Sequence, residues 1–203
     1  MGSMPTKTAM SLLRLSHELP RGSQVHALTT YTTPARKRQP LAEAVLEHPL
    51  WEWLLLVDAD MVVPSDAALR LLRHDAGIAS GVYVCRHYPA SLEAGKLVEQ
   101  DEEPDPRPLD TPAMNIQPLR PEDVEGVTEV DVAGGGCLLI RAEVLEALDP
   151  PWFEPDVSLH RDFGQSSDWN FCLRAREVGF RILLDPGVEC GHVGSKVHYP
   201  GEG

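Results

Sequence analysis

Residues 51–64 read WEWLLLVDADMVVP, and this stretch decides the fold class. The apolar run 53–57 is short, rich in Leu and Val, and ends at acids, which favours a buried central strand over a helix. Asp58 and Asp60 follow at its carboxyl end, the edge of an open α/β sheet where ligands bind. Two carboxylates one residue apart repel each other in a low-dielectric surround. The pattern predicts a divalent cation held together with a substrate's phosphates.

Composition limits the class of protein. The chain has 203 residues, 42% of them hydrophobic, which suits one α/β domain with its own core. A formal net charge of −13 argues against general binding to nucleic acid or anionic membranes. The four cysteines form no CxxC pair, so we expect small buried thiols in a cytoplasmic protein. A disulfide between two of them is the alternative. No apolar stretch is long enough to span a bilayer.

Helix and strand patterns alternate along the chain and predict an α/β class. Predicted helices cover 6–19, 35–48, 65–74, 141–148 and 168–178, and predicted strands cover 24–31, 77–84, 127–140 and 180–184. Pro40 is expected to mark the first turn of its helix, and Ser65 to cap the next. In the last helix, Phe171, Cys172, Ala175 and Val178 are predicted to face inward.

One domain is predicted over residues 5–203. Residues 1–4, MGSM, are typical of an expression scar ahead of a native start. Residues 91–125 are acidic and rich in proline, and they are too long for an ordinary connection. We interpret them as an active-site flap, a β-excursion or a partly disordered insertion, and not as a second domain.

Two further motifs carry candidate chemistry. Gly134, Gly135 and Gly136 lie between apolar strands, where glycine lets a backbone approach a substrate closely; a bulge at a sheet corner is the alternative. Asp168 opens an amphipathic helix, where an acid complements the helix dipole or acts as a general base in a cleft.

Two basic features each allow two interpretations. The run Arg36-Lys37-Arg38 is the densest basic cluster of an acidic chain, and it suits either phosphate binding or a solvated helix start. His192 is flanked by glycines after the last predicted strand, so it suits either a surface position or a metal ligand.

In this order, the motifs resemble the GT-A-fold glycosyltransferases, in particular the small family-2-like nucleotide-sugar transferases. The matching segments are LLLVDADMVVP, SGVYVCRHYP, VDVAGGGCLLIRAEVLEAL, PWF and SDWNFCLRAREVGFRILLDPGVECGHVG. They cover most of residues 51–194. The resemblance implies the nucleotide-diphospho-sugar transferase fold, a Rossmann-like mixed sheet flanked by helices.

The resemblance also implies roles for single residues. Asp60 would ligate Mn²⁺ or Mg²⁺ directly, Asp58 would contact the metal through water or else the donor ribose, and His192 would be the third protein ligand. Asp168 would be the base of an inverting transfer. Gly134 and Gly135 would border a sugar, and Arg36 would lie near the nucleotide.

The implied activity is that of a metal-dependent hexosyltransferase, which moves a sugar from a UDP- or GDP-sugar to a hydroxyl acceptor such as a saccharide. Two features depart from the family. No strand precedes Pro5-Thr6-Lys7, so either the native N-terminus is trimmed or the base pocket is built differently. Ser167-Asp168 stands where Glu-Asp is common.

Several alternatives stay open. They are a non-catalytic nucleotide-sugar-binding protein, a retaining transferase and an Asp-x-Asp phosphohydrolase. The last would use Asp58 as its nucleophile, but the chain lacks the later acidic pair that phosphatases of the haloacid dehalogenase type carry.

Overall fold

The computed structural model describes residues 4–28, 33–85, 91–98, 116–154, 167–194 and 197–200. Its helices are α1 (Thr6–Glu18), α2 (Pro34–Glu47), α3 (Ala67–Leu72), α4 (Ala142–Glu146) and α5 (Ser167–Glu177). Its strands are β1 (Trp53–Val57), β2 (Met61–Val62), β3 (Ile78–Val82), β4 (Ala94–Leu97), β5 (Ile116–Pro118), β6 (Thr128–Val130), β7 (Val132–Ala133), β8 (Cys137–Arg141), β9 (Ile182–Glu189), β10 (Gly191–Val193) and β11 (Val197–His198).

A five-stranded sheet with the order β1-β8-β3-β9-β6 forms the centre of the molecule. Strands β3 and β9 are parallel, whereas β8 runs antiparallel to both β1 and β3, and β6 runs antiparallel to β9. The predicted α/β class with a mixed sheet is therefore confirmed.

Helices cover both faces of this sheet, because side chains alternate between two core clusters. Leu54 and Leu56 of β1 belong to the cluster that α2, α4 and α5 complete. Leu55 packs instead against the second cluster, to which α1 and α3 contribute. Alternation of this kind is what the two-residue period of a strand produces. Of the helices in the described part of the chain, none has the length and apolarity needed to cross a membrane.

Two small sheets extend from the centre. One has the order β11-β10-β2, and the other has the order β5-β4-β7. Strands β4 and β5 come from the two described ends of the segment 91–125, and Ile116 of β5 is buried in the main core. Residues 99–115 of that segment lie outside the described residues.

The strand predictions need two corrections. Strand β1 lies at one end of the sheet order and not at its centre, and only its alternate residues are fully buried. Residues 24–28 form no strand: Val25 and Leu28 are 70% and 39% exposed, so this alternating pattern lacks a core face to cover. The rest of that predicted strand, residues 29–31, lies outside the described residues.

The helix predictions hold in position, and their details change. Helix α2 begins at Pro34, with the Thr33 hydroxyl accepting from the Arg36 N–H, so Pro40 lies inside the helix and not in its first turn. Helix α3 follows Asp66 and not Ser65, without a side-chain cap. Val178 is 51% exposed because it comes after the end of α5, whereas Phe171, Cys172 and Ala175 are buried as predicted.

All four cysteines are free thiols. Cys137, Cys172 and Cys190 are fully buried, as small apolar side chains commonly are, and Cys85 is partly buried.

Candidate active site

Strand register brings the first acid to the glycine loop. Val57 pairs with Cys137, so the carboxyl end of β1 meets the amino end of β8. As a result the Asp58 N–H donates to the Gly136 carbonyl oxygen, 3.2 Å away. Asp58 and the triple glycine, far apart in the sequence, therefore share one edge of the sheet.

A second register places Asp60 beside His192. In the small sheet, Met61 of β2 pairs with His192 of β10, and the Val193 N–H donates to the Asp60 carbonyl oxygen at 2.8 Å. The imidazole Nε2 of His192 then lies 3.6 Å from Oδ2 of Asp60. These two residues therefore lie side by side in the fold, and their role as metal ligands stays a prediction.

The surroundings of Nδ1 of His192 show that this ring nitrogen carries a hydrogen. Nδ1 lies 2.9 Å from the Val84 carbonyl oxygen, which can only accept, so Nδ1 carries the hydrogen. Metal-binding histidines commonly donate one ring N–H to a backbone carbonyl in this way, which orients the other nitrogen. Here that other nitrogen faces Asp60.

A buried arginine joins two of the predicted acids. Nη2 of Arg38 lies 3.0 Å and 3.1 Å from the two carboxylate oxygens of Asp58, and Nη1 donates to Oδ1 of Asp168. The side chains of Arg38 and Asp168 are only 6% and 8% exposed, whereas that of Asp58 is 45% exposed. The repulsion between Asp58 and Asp60 called for a nearby positive charge. For Asp58, Arg38 of the protein itself supplies that charge.

Asp168 lies in the first turn of α5, and its carboxylate accepts hydrogen bonds from three donors. Besides Arg38, the Gly135 N–H donates to Oδ2 at 2.8 Å, and the Ser167 hydroxyl lies 3.2 Å from Oδ1. A carboxylate with several donors is stabilised in its charged form, and its orientation is fixed.

Tyr83 forms the wall behind the glycine loop. Its hydroxyl oxygen accepts the Gly136 N–H at 2.9 Å, and its ring lies edge-on to His192 with centroids 5.7 Å apart. Burial, followed by the nearby charges of Glu93 and Asp58, raises the pKa of Tyr83 well above its usual value. The phenol is therefore neutral at physiological pH and keeps its hydrogen.

The glycine loop has no space for side chains. A Cβ at Gly134 would lie 2.1 Å from the Tyr83 hydroxyl, and one at Gly135 would lie 2.4 Å from Nη2 of Arg38. The protein's own Tyr83 and Arg38 lie against this backbone, and the predicted approach of a substrate stays a prediction.

Of the basic cluster, the structure brings Arg38 and not Arg36 among the acids. Arg36 is exposed, and its assignment to the nucleotide stays a prediction. Helical spacing could have identified Arg38, because it shares the buried face of α2 with Ala42 and Val45 at positions i, i+4 and i+7. Tyr83 lies within the matching segment SGVYVCRHYP, but it continues an apolar strand and no role was predicted for it.

The residues suit a divalent cation in part. Asp60 and His192 offer one carboxylate and one imidazole, whereas both oxygens of Asp58 face Arg38. Across the residues that the structure describes, no group of three or more His, Cys, Asp and Glu side chains is close enough to hold a metal. Mg²⁺ sites in enzymes commonly use one or two carboxylates together with substrate phosphates, so the Asp60 carboxylate and a bound diphosphate would fit the implied ion.

Comparisons with known proteins agree with this fold. The model of the family "Glycosyltransferase like family 2" matches residues 5–198. Among solved structures, the crystal structure of A197 from STIV is similar, with a TM-score of 0.64 and 15% sequence identity; the match covers 100% of this chain and 91% of that chain. No curated protein matches the chain significantly.

The central mixed sheet flanked by helices is that of the GT-A fold. The chain belongs to the glycosyltransferase family 2-like proteins, because that family model spans nearly its whole length. Membership supports an activity as a glycosyltransferase that uses a nucleotide-sugar donor and an acceptor.

Proposed function

We propose that this protein is a metal-dependent hexosyltransferase. It moves the sugar of a UDP- or GDP-sugar to the hydroxyl group of an acceptor such as a saccharide. Transfer proceeds with inversion, and Asp168 is the base that removes the hydroxyl proton. A cytoplasmic location is part of the same proposal.

One observation carries the proposal: Asp58, Asp168 and the loop 134–136 meet at one edge of the sheet. The N–H groups of Asp58 and Gly135 and the guanidinium of Arg38 link them directly. In an α/β sheet, such an edge is where substrates bind. A carboxylate held in a cleft beside a donor site is the group that an inverting transfer needs.

The proposed metal site consists of Asp60 and His192. A bound Mn²⁺ or Mg²⁺ would supply charge stabilisation for the departing nucleoside diphosphate. Asp60 and His192 would fix that charge at the end of β1, and Nδ1 of His192, hydrogen-bonded to Val84, would hold the ring in place. Asp58, with 45% of its side chain exposed, remains accessible to a donor ribose.

The test begins with a thermal-shift screen of UDP, GDP, CDP and dTDP sugars with and without Mn²⁺. A ligand that binds only the folded state raises apparent stability by mass action, so the correct base identifies itself. Donor hydrolysis and transfer are then measured with that nucleotide for the wild type and for Asp168→Asn. Metal-dependent turnover that Asp168→Asn loses would support the proposal, whereas binding without turnover in the wild type would refute it.

A second candidate function is that of a nucleotide-sugar-binding protein without turnover. The contacts and burial of Asp168 favour it. Both oxygens of Asp168 already accept hydrogen bonds, from Arg38 and Gly135, and the group is 6% exposed. A base must come within hydrogen-bond reach of the acceptor hydroxyl, and this burial limits that access. The turnover assay separates this candidate from the transferase.

A further inference from the structure

We infer that Arg38 is the positioning residue of this site: its guanidinium orients Asp168 for catalysis and links it to Asp58 on the donor side. The inference rests on the proposed function, because it assigns Arg38 a part in that reaction. It concerns a residue that the motifs of the family resemblance did not include.

The first argument is burial. The Arg38 side chain is 6% exposed, and arginine is almost never buried so deeply unless it is paired. Removing one partner from a buried ion pair leaves an uncompensated charge, so such a pair is expensive to break. Arg38 is therefore held in one place by its two acids.

The second argument is geometry. A guanidinium is planar and offers its donors in a fixed fork, so two acids that share it are fixed relative to each other. Nη2 serves both oxygens of Asp58, while Nη1 serves Asp168. Lysine has a single ammonium on a flexible stem and cannot reproduce this arrangement.

The third argument is the absence of a side chain at position 135. A Cβ there would lie 2.6 Å from Cζ of Arg38 and 2.9 Å from Oδ2 of Asp168. The loop thus accommodates the guanidinium and, through the Gly135 N–H, holds the second oxygen of Asp168. Arg38 and Gly135 together set the direction of the carboxylate.

The kinetic test compares Arg38→Lys with wild type, using Arg73→Lys, the same change at an exposed arginine that follows α3, as the matched control. We expect Arg38→Lys to lower kcat by about 10-fold to 100-fold, since small misplacement of a catalytic group has effects of that size. The donor KM should change much less, because an interaction used only in the transition state lowers kcat. Arg73→Lys should match the wild type. An unchanged kcat in Arg38→Lys would overturn the inference.

A second test needs no substrate and no activity. Urea unfolding midpoints are compared for the wild type, Arg38→Gln, Asp168→Asn and the double variant. If the two side chains form one unit, the loss in the double variant is smaller than the sum of the single losses. Additive losses would overturn the link. A wild type that turns over no donor would instead refute the proposed function, so the two failures are distinguishable.

Discussion

Nε2 of His192 lies 3.6 Å from Oδ2 of Asp60, although these residues are far apart in the sequence. The contact exists because β2 and β10 pair at His192 and Met61. Since Nδ1 donates to Val84, Nε2 is the ring nitrogen that is directed toward the carboxylate. The metal proposal therefore concerns two specific residues, Asp60 and His192.

Replacing the imidazole of His192 tests whether this side chain binds the metal. His192→Ala should abolish the Mn²⁺-dependent part of the stabilisation that a nucleoside diphosphate gives, because one of two protein ligands is lost. At about 100 times the dissociation constant a ligand stabilises by about 2.7 kcal/mol, which a thermal-shift experiment resolves easily. His17→Ala, an exposed histidine on α1, is the control and should behave like the wild type. An unaltered manganese response in His192→Ala would count against the ligand role.

Replacing the proposed base tests the chemistry. Asp168→Asn should lower kcat by about 10²–10⁴-fold, the usual contribution of a general base, while nucleotide affinity remains near that of the wild type. Glu177→Gln, at the exposed far end of α5, is the matched control. The comparison is made from initial rates of nucleoside diphosphate release. Equal rates in Asp168→Asn and wild type would exclude the base role.

The glycine loop predicts a contrast between two alanine variants. Gly135→Ala should destabilise the fold by about 1–3 kcal/mol and reduce turnover, because its Cβ would overlap Arg38 and press on Asp168. Gly126→Ala has no atom within 4 Å of the added carbon and should be close to neutral. Chemical denaturation of both variants measures the difference. A loss of similar size in both would show that the loop tolerates more than its contacts indicate.

Stability should fall at alkaline pH. Burial raises the pKa of the Cys172 thiol from 9.0 to about 12. Below pH 9 the thiol is protonated in both states; above it, the unfolded thiol ionises first, so unfolding is favoured as pH rises. Cys172 alone should contribute a loss of about 1.4 kcal/mol per pH unit between about pH 9 and 12.

Urea titrations at pH 8, 9, 10 and 11 measure this slope. Cys172→Ala should be less stable at pH 8, because it leaves a small cavity, but its stability should fall less steeply with pH. The buried Tyr83, whose pKa is also raised, accounts for part of the remaining slope. Parallel slopes in the variant and the wild type would show that Cys172 is not the titrating group.

The sequence was sufficient to predict the fold class, because apolar residues recur with a clear strand or helix spacing where one face of an element is buried. It was weaker on position within the sheet: the run WLLLV is apolar enough for a central strand, yet in the described residues β1 pairs only with β8. Alternating pattern alone also predicted a strand at 24–28, where no core face exists to make the pattern meaningful.

For the site, motifs located the acids and glycines but not what joins them. The roles of Asp58, Asp60, His192, Gly134 and Gly135 stay predictions, although the structure places them at neighbouring points. Arg38 was not separated from Arg36 because both belong to one basic run, although helical spacing places Arg38 on the face of α2 that Ala42 and Val45 bury. Long-range partners such as Arg38 and Asp168 follow from tertiary packing, which no local pattern encodes.

The most direct test of the central claim is a crystal structure with Mn²⁺ and the nucleoside diphosphate that the screen selects, with manganese located by anomalous scattering. We predict one ion bonded to Asp60 and His192 and to the diphosphate, with the Asp58 carboxylate nearby. An ion bound elsewhere, or a bound nucleotide with no ion between these two side chains, would contradict the account.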